Sequence, residues 1–138
     1  MIMTFNRGDS TKIAPNFRAR EFDCKCGKCT KTLVDTDLLD YLQKIRTYNG
    51  DEVTITSGYR CPEHNQAVGG ATNSYHTKGM AADIVVKGKT PAETAKYAES
   101  LGCLGIGQYP NFNHIDTRTK KFFWYGSNEE PRSTFGGK

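Results

Sequence analysis

Histidine is scarce in this 138-residue chain, which has only three, at positions 64, 76 and 114. Tryptophan occurs once, as Trp124. Any chemistry that needs imidazoles must therefore draw on very few positions. No run of about 18 apolar residues is present, so no membrane helix is indicated. The first residues, Met1 to Arg7, lack an apolar signal core. There is no internal repeat and no low-complexity segment, which excludes a repeat architecture. Basic residues are scattered and no nucleic-acid motif occurs, which argues against a nucleic-acid partner. The net charge of +4 is modest. Its plain reading is ordinary solubility, and its functional reading is attraction to an anionic surface.

What is present is enough for one domain with a real core. Residues 1 to 16 read as a loose lead-in, because Gly8, Asp9, Ser10 and Pro15 break regular structure. Leu38, Leu39, Leu42 and Ile45 recur at helical spacing after a cap at Asp35 or Thr36, and Asn49-Gly50 stops that helix. Val53 to Thr56 predicts a short strand, and Pro62 to Val68 a short helix. Ala81 to Val86 predicts a buried strand. Thr90-Pro91 opens a second long helix to about Leu101, with Ala92, Ala95, Ala98 and Leu101 on its apolar face. Leu104 to Gln108, His114 to Thr117 and Lys121 to Tyr125 read as strands. Residues 127 to 138 read as a frayed tail, which leaves 17 to 126 as the functional domain.

Two of the three histidines join one carboxylate in a suggestive set. His76, Asp83 and His114 offer two imidazoles and an acid, a common ligand set for a catalytic zinc with an open position. Seven residues separate His76 from Asp83. On one helix that is about 10 Å of rise, too far for one ion. The chain must turn between them, and Gly79 is the pivot. His114 and Asp116 share a strand face because they are two residues apart.

Five cysteines occur, at 24, 26, 29, 61 and 103. Cys24, Cys26 and Cys29 form a dense run that lacks the paired C-x(2)-C knuckles of a zinc ribbon. A structural metal there would need a fourth thiolate from Cys61 or Cys103. The preferred reading is free or partly paired thiols without a catalytic role. A redox or metal-trafficking protein built on this run is the weaker alternative.

Ser57-Gly58-Tyr59-Arg60, Glu63-His64-Asn65, Ser74-x-His76-x(2)-Gly79-x-Ala81-x-Asp83 and His114-x-Asp116 occur in that order. Together they resemble the M15 zinc peptidases, the D-alanyl-D-alanine carboxypeptidases and related peptidoglycan endopeptidases. The resemblance covers roughly residues 17 to 118. It implies an α+β fold of the D-Ala-D-Ala carboxypeptidase/hedgehog-like kind, in which a small antiparallel sheet forms a zinc cleft flanked by helices. It implies Zn2+ on His76, Asp83 and His114, and hydrolysis beside D-amino acids in peptidoglycan stem peptides. Arg60 matches an arginine that binds the substrate carboxylate or the oxyanion, and Ser74 is placed with it as substrate-binding. Some relatives carry an acid three residues before the last histidine ligand, where this chain has Asn111. An amide cannot take a proton as a carboxylate does. Asp116 is therefore the expected general base, with orientation of His114 as its alternative role.

Action at the bacterial wall without a recognisable signal would require phage-type release or a trimmed leader. The aromatic run Phe122 to Tyr125 reads as strand packing, with a wall of the cleft as the alternative. His64 reads as structural. Ser57 is no nucleophile, since no His-Asp pair remains to activate it. The rival class is a catalytically silent, zinc-stabilised wall-binding domain. Oligomeric state and the bond cut stay open.

Overall fold

The computed structural model describes residues 1–136. Among the described residues, ten strands and three α-helices follow one another. They are β1 (Ile2–Asn6), β2 (Lys12–Ala14), β3 (Phe17–Arg18), β4 (Lys31–Asp35), α1 (Thr36–Asn49), β5 (Val53–Ser57), α2 (Pro62–Ala67), β6 (Ala81–Val86), α3 (Pro91–Ser100), β7 (Gly105–Gln108), β8 (Asn113–Asp116), β9 (Phe122–Tyr125) and β10 (Glu130–Arg132). This is a mixed α+β arrangement. The main sheet has six strands in the order β10-β9-β7-β8-β6-β5. All neighbours are antiparallel except β7 and β9. No helix among the described residues is long and apolar enough to cross a membrane.

The helices start and stop where their end residues dictate. The Asp35 side chain accepts the Asp37 N–H at the start of α1, and Gly50 closes it with φ 71°. Leu38, Leu39, Leu42 and Ile45 are buried along one face of α1. At α3, Thr90 and Glu93 cap each other reciprocally and Pro91 fills the first turn. Its buried face is Thr94, Ala95 and Ala98, while Ala92, expected inside, is exposed. Ala92 lies in the first turn, two residues after the Thr90 cap.

Strand periodicity divides the main sheet into two chemically different faces. Ile55, Ile84, Ile106, Ile115 and Phe123 enter the core with the apolar sides of α1 and α3. Fully burying each such side chain contributes about 1.5–3 kcal/mol. The opposite face carries Asp83, His114, Asp116 and Trp124.

Two stretches differ from the sequence reading. The lead-in is structured: β1 pairs with β4 from Ile2 opposite Asp35 to Asn6 opposite Lys31, and β2 pairs with β3. The C-terminal stretch is also tied down. Strand β10 extends the sheet, and Glu99 accepts the Thr134 hydroxyl and the Phe135 N–H. Phe135 packs on Phe123 with ring centroids 5.2 Å apart. Residues 137 and 138 of that expected tail lie outside the described residues.

Gly79 is the pivot between His76 and Asp83. Its φ is 73°, and its carbonyl accepts the Asp35 N–H at 2.8 Å. A Cβ here would lie 2.7 Å from the Leu33 carbonyl carbon, so strand β4 leaves no room for a side chain. Gly79→Ala should combine this clash with the left-handed penalty of about 1–2 kcal/mol. A destabilisation of at least about 2 kcal/mol is expected in urea unfolding. A wild-type midpoint for the variant would contradict this account of the turn.

Candidate metal centre

Antiparallel pairing of β6 with β8 sets Asp83 directly opposite His114. His76 arrives from a short 3₁₀ turn, Tyr75–Lys78, whose first N–H groups are capped when the Ser74 hydroxyl accepts the His76 N–H at 3.2 Å. The three side chains converge. Asp83 Oδ1 lies 3.1 Å from His114 Nδ1 and 3.3 Å from His76 Nε2. The two imidazole centroids are 5.1 Å apart. Ligands about 2.0–2.1 Å from a tetrahedral ion are about 3.3–3.4 Å from each other. The donor set and its spacing therefore fit a small cation such as zinc.

Each ring is held by its outer nitrogen. His76 Nδ1–H donates to the Gly58 carbonyl at 2.8 Å, which leaves the Nε2 lone pair facing the cluster. His114 Nε2 is 2.7 Å from Asp116 Oδ2, which directs Nδ1 toward Asp83. Ligating histidines are usually fixed in this way by a carbonyl or a carboxylate.

Asp116 is fully buried. Beyond His114, its oxygens accept from the Arg118 guanidinium at 2.6 and 2.8 Å and from the Arg118 backbone N–H. Arg118 is itself gripped, 4.7 Å from the Tyr75 ring centroid and 5.2 Å from that of Trp124. Such cation–π contacts fix the guanidinium plane. The Trp124 ring lies 5.1 Å from the His114 ring and donates its N–H to the Tyr109 hydroxyl.

Glycines in β7 make space for this layer. Gly105 stands opposite Asp116 and Gly107 opposite His114. A Cβ on Gly107 would come within 2.6 Å of the Trp124 ring, and one on Gly105 would collide with the Asp116 carboxylate.

The electrostatics favour a positive charge at the cluster. Burial alone would depress the His114 pKa, but hydrogen bonds to Asp116 and Asp83 outweigh it and push it up to about 9. Burial opposes charge on Asp83, yet its hydrogen bonds with His114 and His76 hold its carboxyl well below the usual range. Burial also works against Asp116, and bonds from Arg118 and His114 keep it far below its ordinary value.

Arg60 faces the same cluster. Its Nη2 is 3.4 Å from Asp83 Oδ2, its Nε donates to Ser57 Oγ at 3.0 Å, and its Nη1 donates to Asn65 Oδ1 at 3.3 Å. Asn65 is buried and anchored by donating to the Ala71 carbonyl. Asn111 is exposed. His76, Asp83, His114, Asp116 and Arg60 are thus brought together, with Ser74 at the rim as a turn cap.

The family-level comparison agrees with this geometry. The Peptidase M15 family model matches residues 15–116, which include the whole cluster. The chain belongs to the M15 peptidases. Members of this family are generally metal-dependent, and His76, Asp83 and His114 form a group able to hold a metal. The peptidoglycan L,D-endopeptidase MepK of Escherichia coli K12 is 38% identical over 93 residues, 61% of this chain and 51% of the relative. A probable MepK of Haemophilus influenzae is 37% identical over 94 residues, 61% of this chain and 50% of the relative. The chain spans about half the length of the curated relatives it matches.

The sequence reading missed Arg118 and the glycine pair of β7, and it held Gly58 and Asn65 only as motif members, without their roles toward His76 and Arg60. The alternation Gly105-x-Gly107 inside a strand was the one available local signal, since strand glycines often mark close approach of other groups.

Asp116→Asn keeps the shape of this arrangement but removes the charge behind His114. Metal affinity, measured by chelator competition, should fall about 10- to 100-fold. Unchanged affinity would show that the carboxylate does not tune the ring.

Proposed function

We propose that this chain is a zinc peptidase that cuts an internal bond in bacterial peptidoglycan stem peptides. The observation that carries the reading is the convergence of His76 Nε2, Asp83 Oδ1 and His114 Nδ1 at tetrahedral spacing. Zinc bound there supplies Lewis acidity toward a scissile carbonyl and lowers the pKa of water. The protein's own part is orientation. Gly58 and Asp116 set the two imidazoles, and Arg118 keeps Asp116 charged and in place.

Asp116 is assigned to positioning His114 rather than to proton transfer. A general base must reach the proton it takes, directly or through one water. The Asp116 oxygens are sealed from solvent and already committed to His114 and Arg118.

Arg60 is assigned to the oxyanion side of the cleft. Its three nitrogens already hold Ser57, Asn65 and Asp83. Three of its five N–H groups are engaged there, which leaves one on each Nη for an oxyanion. The name of the L,D-endopeptidase relatives favours internal cleavage over removal of a C-terminal residue, and an L–D bond is the proposed target. An open groove of about 530 Å³, lined by Tyr109, Pro110 and Tyr125, begins beside the Trp124–Tyr109 pair and offers room for a peptide. Neither this groove nor a second concavity, between Tyr48, Lys89 and Tyr97, is lined by cluster residues, but the first adjoins the centre through the hydrogen bond from Trp124 to Tyr109.

A wall-binding domain that does not cleave is the second reading. The exposed amide of Asn111 and the sealed state of Asp116 favour it. Mass spectrometry of muropeptides after digestion separates the two. The proposal expects new fragments ending at an L–D bond inside the stem, and their loss in His76→Ala. Arg60→Ala should reduce cleavage roughly tenfold or more, because a charge-assisted bond contributes about 1.5–3 kcal/mol, with zinc retained. Intact muropeptides with the zinc-loaded wild type would favour the binding domain.

A further inference from the structure

The cysteine run does not stand alone. Cys61, thirty-two residues beyond Cys29, folds back onto it. The sulfurs of Cys24, Cys26, Cys29 and Cys61 all lie within 4.8 Å of one another. Cys103 is elsewhere, with its thiol directed at the Gly105 and Asp116 carbonyls. All five thiols are free of disulfides, in keeping with the sequence reading, and four of them converge.

The geometry points to a second metal site, a structural zinc held by the thiolates of Cys24, Cys26, Cys29 and Cys61. Zinc–sulfur bonds of about 2.3 Å place tetrahedral sulfurs about 3.8 Å apart. Cys24 Sγ and Cys61 Sγ are 3.7 Å apart. A disulfide would need about 2.05 Å. Backbone N–H groups also point at the sulfurs. Cys26 Sγ accepts from the N–H groups of Lys28 and Cys29, both at 3.3 Å, and Cys24 Sγ accepts from that of Cys61 at 3.3 Å. Gly27, with φ 73°, makes the tight turn that aims these donors inward. Four thiolates around a divalent ion leave two negative charges. Lys25, Lys28 and Lys31 punctuate the run, and Arg7 Nη1 lies 3.7 Å from Cys29 Sγ while donating to the Cys24 carbonyl at 2.7 Å.

The site has a mechanical purpose. Between Asp23 and Thr30 the chain forms neither helix nor strand. Cys61 directly follows Arg60. The Tyr59 N–H donates to the Phe22 carbonyl at 2.9 Å. Gly58 sits so close that a Cβ would be 2.7 Å from Phe22 Cα. An ion joining the run to Cys61 would fasten the segment that presents the Gly58 carbonyl to His76 and the guanidinium of Arg60 to Asp83. This inference does not rest on the peptidase reading.

The test uses the full chain, purified under reducing conditions, with metal content and free thiols counted together. Wild type should carry two zinc ions per chain. His76→Ala/His114→Ala should keep one, with no thiol reacting in the folded protein, since the ion covers four and Cys103 is buried, and all five reacting after unfolding with a chelator. Cobalt loaded into that variant should show the intense charge-transfer absorption of four sulfur ligands. Adding Cys26→Ser and Cys29→Ser should remove the remaining ion. A folded His76→Ala/His114→Ala variant with no zinc, and with the partly exposed Cys26 and Cys29 open to alkylation, would overturn the proposal. So would a Cys24–Cys61 disulfide under these conditions, or zinc retained after both cysteine substitutions. Because the histidine variant leaves all cysteines intact, its result decides even if the serine variants fail to fold.

Discussion

The candidate centre depends on one register. Pairing of β6 with β8 places Asp83 against His114 and Ala81 against Asp116. Side chains alternate along a strand, so a one-residue slip would turn His114 into the core and Ile115 into the cleft. That slip is strongly opposed, because Ile84 and Ile115 are completely buried on the other face. The hydrophobic core thus sets the position of the polar cluster to within a hydrogen bond. Gly105 and Gly107 complete the arrangement by leaving β7 bare beneath Asp116, His114 and Trp124.

Around that register the structure solves an electrostatic problem. Two carboxylates, Asp83 and Asp116, are withdrawn from water beside the same imidazole. Burying a charge is costly unless it is paired and hydrogen-bonded. Asp116 meets the condition through Arg118, and Arg118 through the rings of Tyr75 and Trp124. Asp83 meets it through both histidines and Arg60. No buried side-chain polar atom among the described residues lacks a partner. Such a network holds its members rigidly, which is what ligand groups require before an ion arrives.

Much of this could be read from the chain and some could not. Local signals located α1, α3, β5, β6 and the turn at Gly79, because caps, periodicity and a positive-φ glycine act over a few residues. The grouping of His76, Asp83 and His114 was legible because only three histidines occur in the chain. The strands β1 and β4 were not. Strand β1 alternates only between exposed and half-buried positions, and its pairing with β4 joins residues about thirty apart in sequence. That Cys61 rather than Cys103 joins the cysteine set was hidden for the same reason. Neither Arg118 nor the bare face of β7 carries a motif, since each matters only through what the fold brings against it.

The central claim is that three named atoms, His76 Nε2, Asp83 Oδ1 and His114 Nδ1, share one ion. Anomalous diffraction at the zinc edge from crystals of the full chain tests it most directly. The account predicts a peak about 2.0–2.2 Å from all three atoms, with His114 Nε2 still on Asp116. Zinc-soaked crystals with no peak between these side chains, or with His114 bound through Nε2, would contradict it.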